Sequence, residues 1–381
     1  MISASIKRSV LLVGACALAL LASCGTPATG PASTAGSTSS SAQANAQSDW
    51  DRLVAAAKHE GKLVISSLPD DAYRTPLSAF EAEYPEIKVE YNGLTSPNYW
   101  AKVVQERQAG QYLWDLRVGG PDPQVFQARD RGWLEPIRDQ LVLPEVTDGS
   151  KWLGGEDGLF SDKDQKVIVS FFAAESLTQF VNRDLLPQET LPSSKQLLAP
   201  QFRGKVAMGD PRGGPGLGQM TLLLAGYGEQ YVSDLLSKQA VTPTTDIRQL
   251  AEWLVRGNYA VALGLPRYNL DTFQREGLGQ NVKSLAGPLG ITNAGGGIQL
   301  MNRAPHPNAA KLYVNWLLSQ RTQAALAKST LFNSRRFDTP PGDPAAVVDL
   351  SRLGDYIEYQ SERWLPARNR AEELARQLLP S

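Results

Sequence analysis

The segment GDPRGGPGLG, residues 209–218, places Arg212 just ahead of four glycines, Gly213, Gly214, Gly216 and Gly218. A guanidinium forks onto carboxylate, phosphate or phosphonate oxygens. Glycines let a ligand approach the backbone closely, and a helix starting here would present unpaired N–H groups at its positive dipole end. The chemistry on offer is anion binding; the competing reading is a flexible turn with a solvent-facing arginine. No Lys-Ser or Lys-Thr follows the glycines, so this is not a P-loop, and Pro215 with the wrong spacing excludes a dinucleotide fingerprint. Arg267-Tyr268 form a second polar point: Tyr268 offers either a phenol oxygen to a ligand or a half-buried packing ring. The third group is hydroxyl and carboxylate: Ser66, Ser67, Asp70, Asp71 and Tyr73 in SSLPDDAY, and Asp122 in GGPDPQ.

Catalytic alternatives are thin. The histidines are His59, near a helix end, and His306, between prolines; neither has a serine or cysteine nucleophile at readable spacing, and two cannot make a zinc site alone. Ala309, Leu312, Tyr313, Trp316 and Leu317 recur at helical spacing and read as core. Trp100, Trp133 and Trp152 are the tryptophans suited to a binding rim, a weaker carbohydrate-binding reading. With a net charge of −1 the chain carries no electrostatic footprint for nucleic acid.

The elements that must position these residues alternate. Ser48 caps a helix that ends at Gly61, KLVISS is a buried strand, and PLSAFEAEYP is a helix closed by Pro85. IKVEY is a second strand, YWAKVVQERQAG a helix, and WDLRVGG a third strand breaking into glycines. Strands separated by helices imply a parallel sheet covered on both faces, with ligands beyond the carboxyl ends of the strands. KVAMGDPRGGPGLGQMTLLLAGYG repeats the pattern as strand, loop, helix. The stretch SRLGDYIEYQSERWLPARNRAEELARQLL reads as helical with Pro366 interrupting it; it either straps two halves together or covers the first.

The first 47 residues are different. Lys7 and Arg8 precede an apolar run from Val10 to Ser23, too short for the roughly 20 residues of a bilayer span and laid out as a secretory signal. Leu21-Ala22-Ser23-Cys24 is similar to a bacterial lipobox, which implies acylation of Cys24 and cleavage before it. Cys16 and Cys24 are the chain's two cysteines, so no disulfide staples the mature fold. Gly25 to Gln47 lacks charge and aromatics and reads as a disordered tether.

PLSAFEAEYPEIKVEYNG, FRGKVAMGDPRGGPG and GGIQLMNRAPHPNAAKLYVNWLLSQRTQAAL together resemble the extracellular solute-binding proteins of ABC importers, the ferric-ion-binding group in particular. The resemblance runs from about Leu63 to about Asp338. It implies a type II periplasmic-binding-protein fold: two α/β lobes, each a mixed, mostly parallel sheet flanked by helices, closing over a solute. The expected division is 1–23 signal peptide, 24–47 linker, 48–171 first lobe, 172–290 second lobe, and 291–381 first lobe again with C-terminal helices. The crossings fall in VIVSFFAAESLTQFVN and around AGPLGITNAGGGIQL.

Iron-binding members of the group carry two adjacent tyrosines where this chain has Arg267-Tyr268, and often a histidine and a glutamate where this chain has neither. Only Tyr268 is left as an iron ligand, with Asp70, Asp71 and Asp122 as further oxygen donors. The resemblance implies a non-enzymatic, monomeric receptor outside the cytoplasm, lipid-anchored through Cys24, partnering a permease with a cytoplasmic ATPase. Its cargo is a small anion or iron(III), the iron free or as an anionic chelate. Ser66, Ser67, Asp70, Tyr73 and Asp122 act from the first lobe, and Arg212, Gly213, Gly214, Arg267 and Tyr268 from the second. A cation receptor for polyamine or thiamine caged by Asp70, Asp71, Asp122 and Tyr73 is the alternative, and a surface hydrolase a more distant one.

Overall fold

The fold is taken from a computed structural model that describes residues 37–293 and 295–379, with side chains from Gln47 onward. Cys16, Cys24 and the expected signal peptide lie outside the described residues. The compact unit described below is Gln43–Ser381, preceded by the start of its first helix at Ser37. Among the described residues no helix is long and apolar enough to cross a membrane.

In chain order the first elements are α1 (Ser37–Glu60), β1 (Lys62–Ser67), α2 (Asp71–Glu83), β2 (Lys88–Gly93), α3 (Ser96–Gln108), β3 (Leu116–Val118), α4 (Pro123–Asp130), β4 (Leu134–Glu135) and α5 (Pro144–Thr147). β5 (Val169–Ser170), β6 (Ala174–Glu175) and β7 (Gln179–Asn182) follow, then β8 (Val206–Gly209), α6 (Gly214–Tyr227) and α7 (Glu229–Lys238). Next come β9 (Thr242–Thr244), α8 (Ile247–Val255), β10 (Val261–Leu263), α9 (Arg267–Arg275), β11 (Val282–Ser284), β12 (Ile291–Thr292) and β13 (Gly297–Met301). α10 (Pro307–Leu318), α11 (Gln320–Thr330) and α12 (Leu365–Leu378) complete the list.

The first sheet runs β2-β1-β3-β13-β4, with β5 also paired to β13. β1 is parallel to β2 and β3, whereas β13 is antiparallel to its neighbours. The second sheet runs β11-β7-β10-β8-β9, with β8, β9 and β10 parallel. Between them β6 and β12 pair antiparallel, Ile291 opposite Glu175 and Thr292 opposite Ala174. The chain thus leaves the first sheet at β5, passes β6 and enters the second at β7; it returns from β11 through β12 to β13. Each sheet has its own core, one built around Phe80, Tyr313 and Phe171, the other around Phe202, Met220 and Leu235.

Three expectations need correction. The first helix begins at Ser37, not Ser48, so Ser37–Gln47 is helical and not a disordered tether. Ala and Gln carry little helix cost, and once Trp50, Leu53, Val54 and Ala57 are packed each upstream residue adds a bond without a new nucleus. The stretch from Ser351 is not continuous helix: short 3-10 turns at Leu350–Asp355 and Glu362–Trp364 precede α12. Pro366 starts α12 instead of interrupting it, because the first turn needs no N–H from that residue. Finally, the C-terminus does not end on the first lobe: Ala371, Leu374 and Leu379 join the core of the second sheet.

That last segment makes a third crossing. Ile357 exchanges backbone hydrogen bonds with the β12 approach, Ile291 N to Ile357 O at 3.0 Å and Ile357 N to Leu289 O at 2.9 Å. The Tyr356 hydroxyl donates to Glu175 Oε2 at 2.9 Å, and Ile291, Ala173, Val348 and Leu153 form a small apolar cluster there. On the first-sheet side Arg129 of α4 pairs with Glu362, one of its bonds being 2.8 Å.

Candidate functional site

Parallel strands deliver their loops to one edge. At that edge of the first sheet Ser66 and Ser67 end β1; both are buried, and the Ser66 hydroxyl has no hydrogen-bond partner. Asp70 caps α2, its carboxylate accepting from Ala72 N at 2.8 Å, which leaves one oxygen exposed to solvent. Tyr73 packs its ring 6.4 Å from Phe172, and burial holds its phenol far above the ordinary range. Burial, with the Asp70 charge beside it, thus favours its neutral hydroxyl. Asp122 caps α4 through Val125 N at 3.0 Å, accepts from the Ser96 hydroxyl, and lies 3.4 Å from Arg117.

Arg117 itself was not anticipated. It is 4% exposed, donates to Gln299 Oε1 at 2.9 Å and Gly120 O at 3.3 Å, and stacks 5.8 Å from both the Tyr99 and Trp100 rings. Burial pulls its pKa down, and Asp122 acts in the opposite direction. The only signal was a charge inside the apolar run WDLRVGG, where a half-exposed strand would alternate. Gly120 lies against the return crossing, where a Cβ would come 2.9 Å from Asn293 Oδ1 and from Gly295 Cα, so the close approach requires glycine.

At the corresponding edge of the second sheet β8 ends in the glycine-rich loop. Gly213 caps α6 and Gly214 is its first residue, at φ +52; both are exposed, with open space where a Cβ would be. Gly216 is different: its Cβ would sit 2.1 Å from Gly209 O, so its closeness serves the loop's own packing and not a ligand. Arg212 is gripped by Asp210, Nε to Oδ1 at 2.9 Å and Nη2 to Oδ2 at 2.7 Å. That bond holds the Asp210 carboxyl below its usual range and orients the guanidinium beside the helix start. β10 ends at Leu263, and Arg267 and Tyr268 open α9, with Tyr268 58% exposed.

Arg267 is committed elsewhere. Its Nη2 lies 2.8 Å from Asp343 Oδ1 and its Nε 3.2 Å from Asp343 Oδ2, with Asp271 at 3.4 Å. Asp343 is anchored through Asn333, whose carbonyl accepts from Ala173 N at 2.9 Å beside the first sheet. The pair thus ties the helix after β10 to a segment packed on the other sheet. A polar chain also spans the crossings: Thr178 donates to Gln219 Oε1 at 2.7 Å, Ser176 meets the Tyr359 hydroxyl at 3.3 Å, and Gln219 Nε2 is left without a partner. The two sets of expected residues therefore collect at the loop edges of two different sheets.

Among the described residues no cluster of three or more His, Cys, Asp or Glu side chains could hold a metal ion. A lone, mostly exposed Tyr268 does not make a cage for bare iron(III). His306 turns its Nδ1 to Asp115 at 2.8 Å, at the opposite edge of the first sheet, and burial pushes the Asp115 carboxyl up.

Similar solved structures include iron-bound HitA from Pseudomonas aeruginosa, at 18% identity and TM-score 0.62, covering 83% of this chain and 99% of that one. A Trichodesmium protein, IdiA (FutA), in complex with iron and citrate matches at 12% identity and TM-score 0.63, covering 84% and 99%. AfuA from Actinobacillus pleuropneumoniae, with exogenous fructose-6-phosphate bound, matches at 21% identity and TM-score 0.54, covering 83% and 97%. These likenesses establish the two-lobed periplasmic-binding-protein fold. No curated protein matches the sequence. A family model described as bacterial extracellular solute-binding protein matches residues 66–324. The chain belongs to the bacterial extracellular solute-binding proteins, receptors that hold a small molecule for a membrane permease.

Proposed function

We propose that the protein captures a small oxyanion, free or as the anionic shell of an iron(III) chelate, between its two sheets and hands it to an ABC permease with a cytoplasmic ATPase. The carrying observation is how charge is spent. Asp70 and Asp122, which a cation cage would need, cap helices, and Asp122 also balances Arg117. The Gly213–Gly214 start of α6 stays open beside an oriented Arg212. Oxyanions favour such helix starts, and Arg212, its fork shared with Asp210, keeps a guanidinium at that position. Ser66, Ser67 and Tyr73 bring hydroxyls from the other side, Tyr268 lies at the rim, and Asp70 keeps to its cap because a carboxylate has no proton to give an oxyanion. Arg267 acts as a latch rather than a ligand contact.

In this reading the protein works as a monomer without catalysis, held to a membrane by lipid on Cys24. Closure follows from contacts to both halves, which favour the closed population. Thermal unfolding across methylphosphonate, succinate, fructose 6-phosphate, ferric citrate and spermidine tests the ligand class. At least one anion raises the melting temperature and spermidine does not; stabilisation by spermidine alone contradicts the proposal. For the stabilising anion, Arg212→Ala weakens binding at least tenfold by calorimetry, and an unchanged dissociation constant removes Arg212 from the site.

A further inference from the structure

Far from the loop edges, where β13 ends and β3 begins, a cavity of about 570 Å³ opens between the C-terminal ends of α3 and α4. Its walls carry Arg107, Arg131, Arg303, Tyr112, Trp133 and Asn302. Cations and rings alternate. Arg303 lies 4.8 Å from the Tyr112 ring, Arg107 5.0 Å from Tyr112 and 5.2 Å from Trp133, and Arg131 5.0 Å from Trp133. Arg107 is fixed by the Asn302 side chain and by the carbonyls of Asn302 and Trp133, at 3.3 and 3.4 Å. Arg303 Nη1 donates to the Tyr112 hydroxyl at 2.8 Å.

None of these three guanidiniums has a carboxylate partner among the described residues, although most other arginines near the surface do. Like charges held together cost free energy, which the negative ends of α3 and α4 offset in part and an anion would relieve further. Arg303 is held at φ +55, a conformation uncommon for a residue with a side chain. Next to the cavity, and sharing Val104, Arg131 and Trp133 with it, lies a second hollow of about 280 Å³ lined by Trp100. Trp100 is 4% exposed and its indole N–H has no acceptor.

We propose that this cavity is a second anion site, separate from the solute site, that takes a small organic phosphate. Arg131 and the remaining nitrogens of Arg303 offer N–H groups to oxygen, Arg107, held by Asn302 and Trp133, adds its charge, and phosphate accepts several such bonds at once. The volume exceeds what an inorganic ion fills and falls in the range of small-molecule pockets. The phosphate can come from a free metabolite or from a lipid headgroup; the chemistry is the same.

The full chain is titrated by calorimetry at low salt with glycerol 1-phosphate and with the water-soluble lipid dihexanoyl phosphatidylglycerol. At least one binds, and Arg131→Gln with Arg303→Gln weakens that binding at least tenfold while the melting temperature holds, both side chains being exposed. Arg212→Ala leaves it unchanged, which separates this site from the solute site. Binding of glycerol 1-phosphate alone assigns a free phosphate, and binding of the lipid assigns a headgroup. Absence of binding by both probes, or equal binding by the double variant, overturns the proposal.

Discussion

Arg117 and Asp122 show how one loop aspartate can be read two ways. Asp122 follows a strand, as a ligand-binding carboxylate would, yet it caps α4 and neutralises the buried Arg117 guanidinium. Nothing in GGPDPQ distinguishes capping from binding, because the partner amides and Arg117 arrive only with the tertiary fold. Asp122→Ala removes the cap and strands a buried charge, and we expect a loss of about 3 kcal/mol. Urea denaturation measures it, and a loss below about 1 kcal/mol, the size of a cap alone, contradicts the role. The pH dependence belongs at the same scale. Hydrogen bonds from Arg336, Arg129 and Arg212 hold Asp338, Glu362 and Asp210 below their usual ranges. Carboxylates depressed in the folded state add stability above their unfolded pKa values of about 4 and lose it as pH falls through the folded ones. The melting temperature is therefore expected to be flat down to about pH 5 and to fall below about pH 4, less steeply in Asp338→Asn.

Elements were legible where periodicity and turn chemistry agreed. KLVISS, the strand at β8 and the apolar stripe of α10 appear where the residue pattern puts them, since their buried positions leave one choice of face. α12 was not legible in this way. Its apolar face of Ala371, Leu374 and Ala375 suits either sheet's helices, and the choice is made by contact with α6 and α7 and by Arg370 pairing with Glu229 at 2.5 Å. Leu374→Ala leaves a cavity in the second core and is expected to cost 2 to 5 kcal/mol, roughly the range for buried leucine. Chemical denaturation with tryptophan fluorescence reads this loss; a change under about 1 kcal/mol would mean that α12 is dispensable to that core.

At the scale of the whole molecule, three chain segments connect two cores: the β6 and β12 crossings and the run past Ile357. The first two coincide with stretches that the resemblance marked as crossings; for the third the residues left two readings open, a strap or a cover of the first half, because they are polar and irregular and only pairing with the β12 approach makes it a strap. Arg267 and Asp343 add an ion pair across the halves, each side chain less than one-third exposed, at 31% and 20%. Arg267→Ala is expected to enlarge the radius of gyration of the unliganded protein, an effect that 0.5 M salt reproduces only in part because the pair is shielded. An unchanged radius removes the latch. The central claim, that the halves close on an anion gripped beside Arg212, is tested most directly by small-angle scattering with and without whichever anion of the panel stabilises the protein. The account predicts a smaller radius of gyration with that anion, abolished in Arg212→Ala. The same scattering curve with and without a bound anion would contradict it.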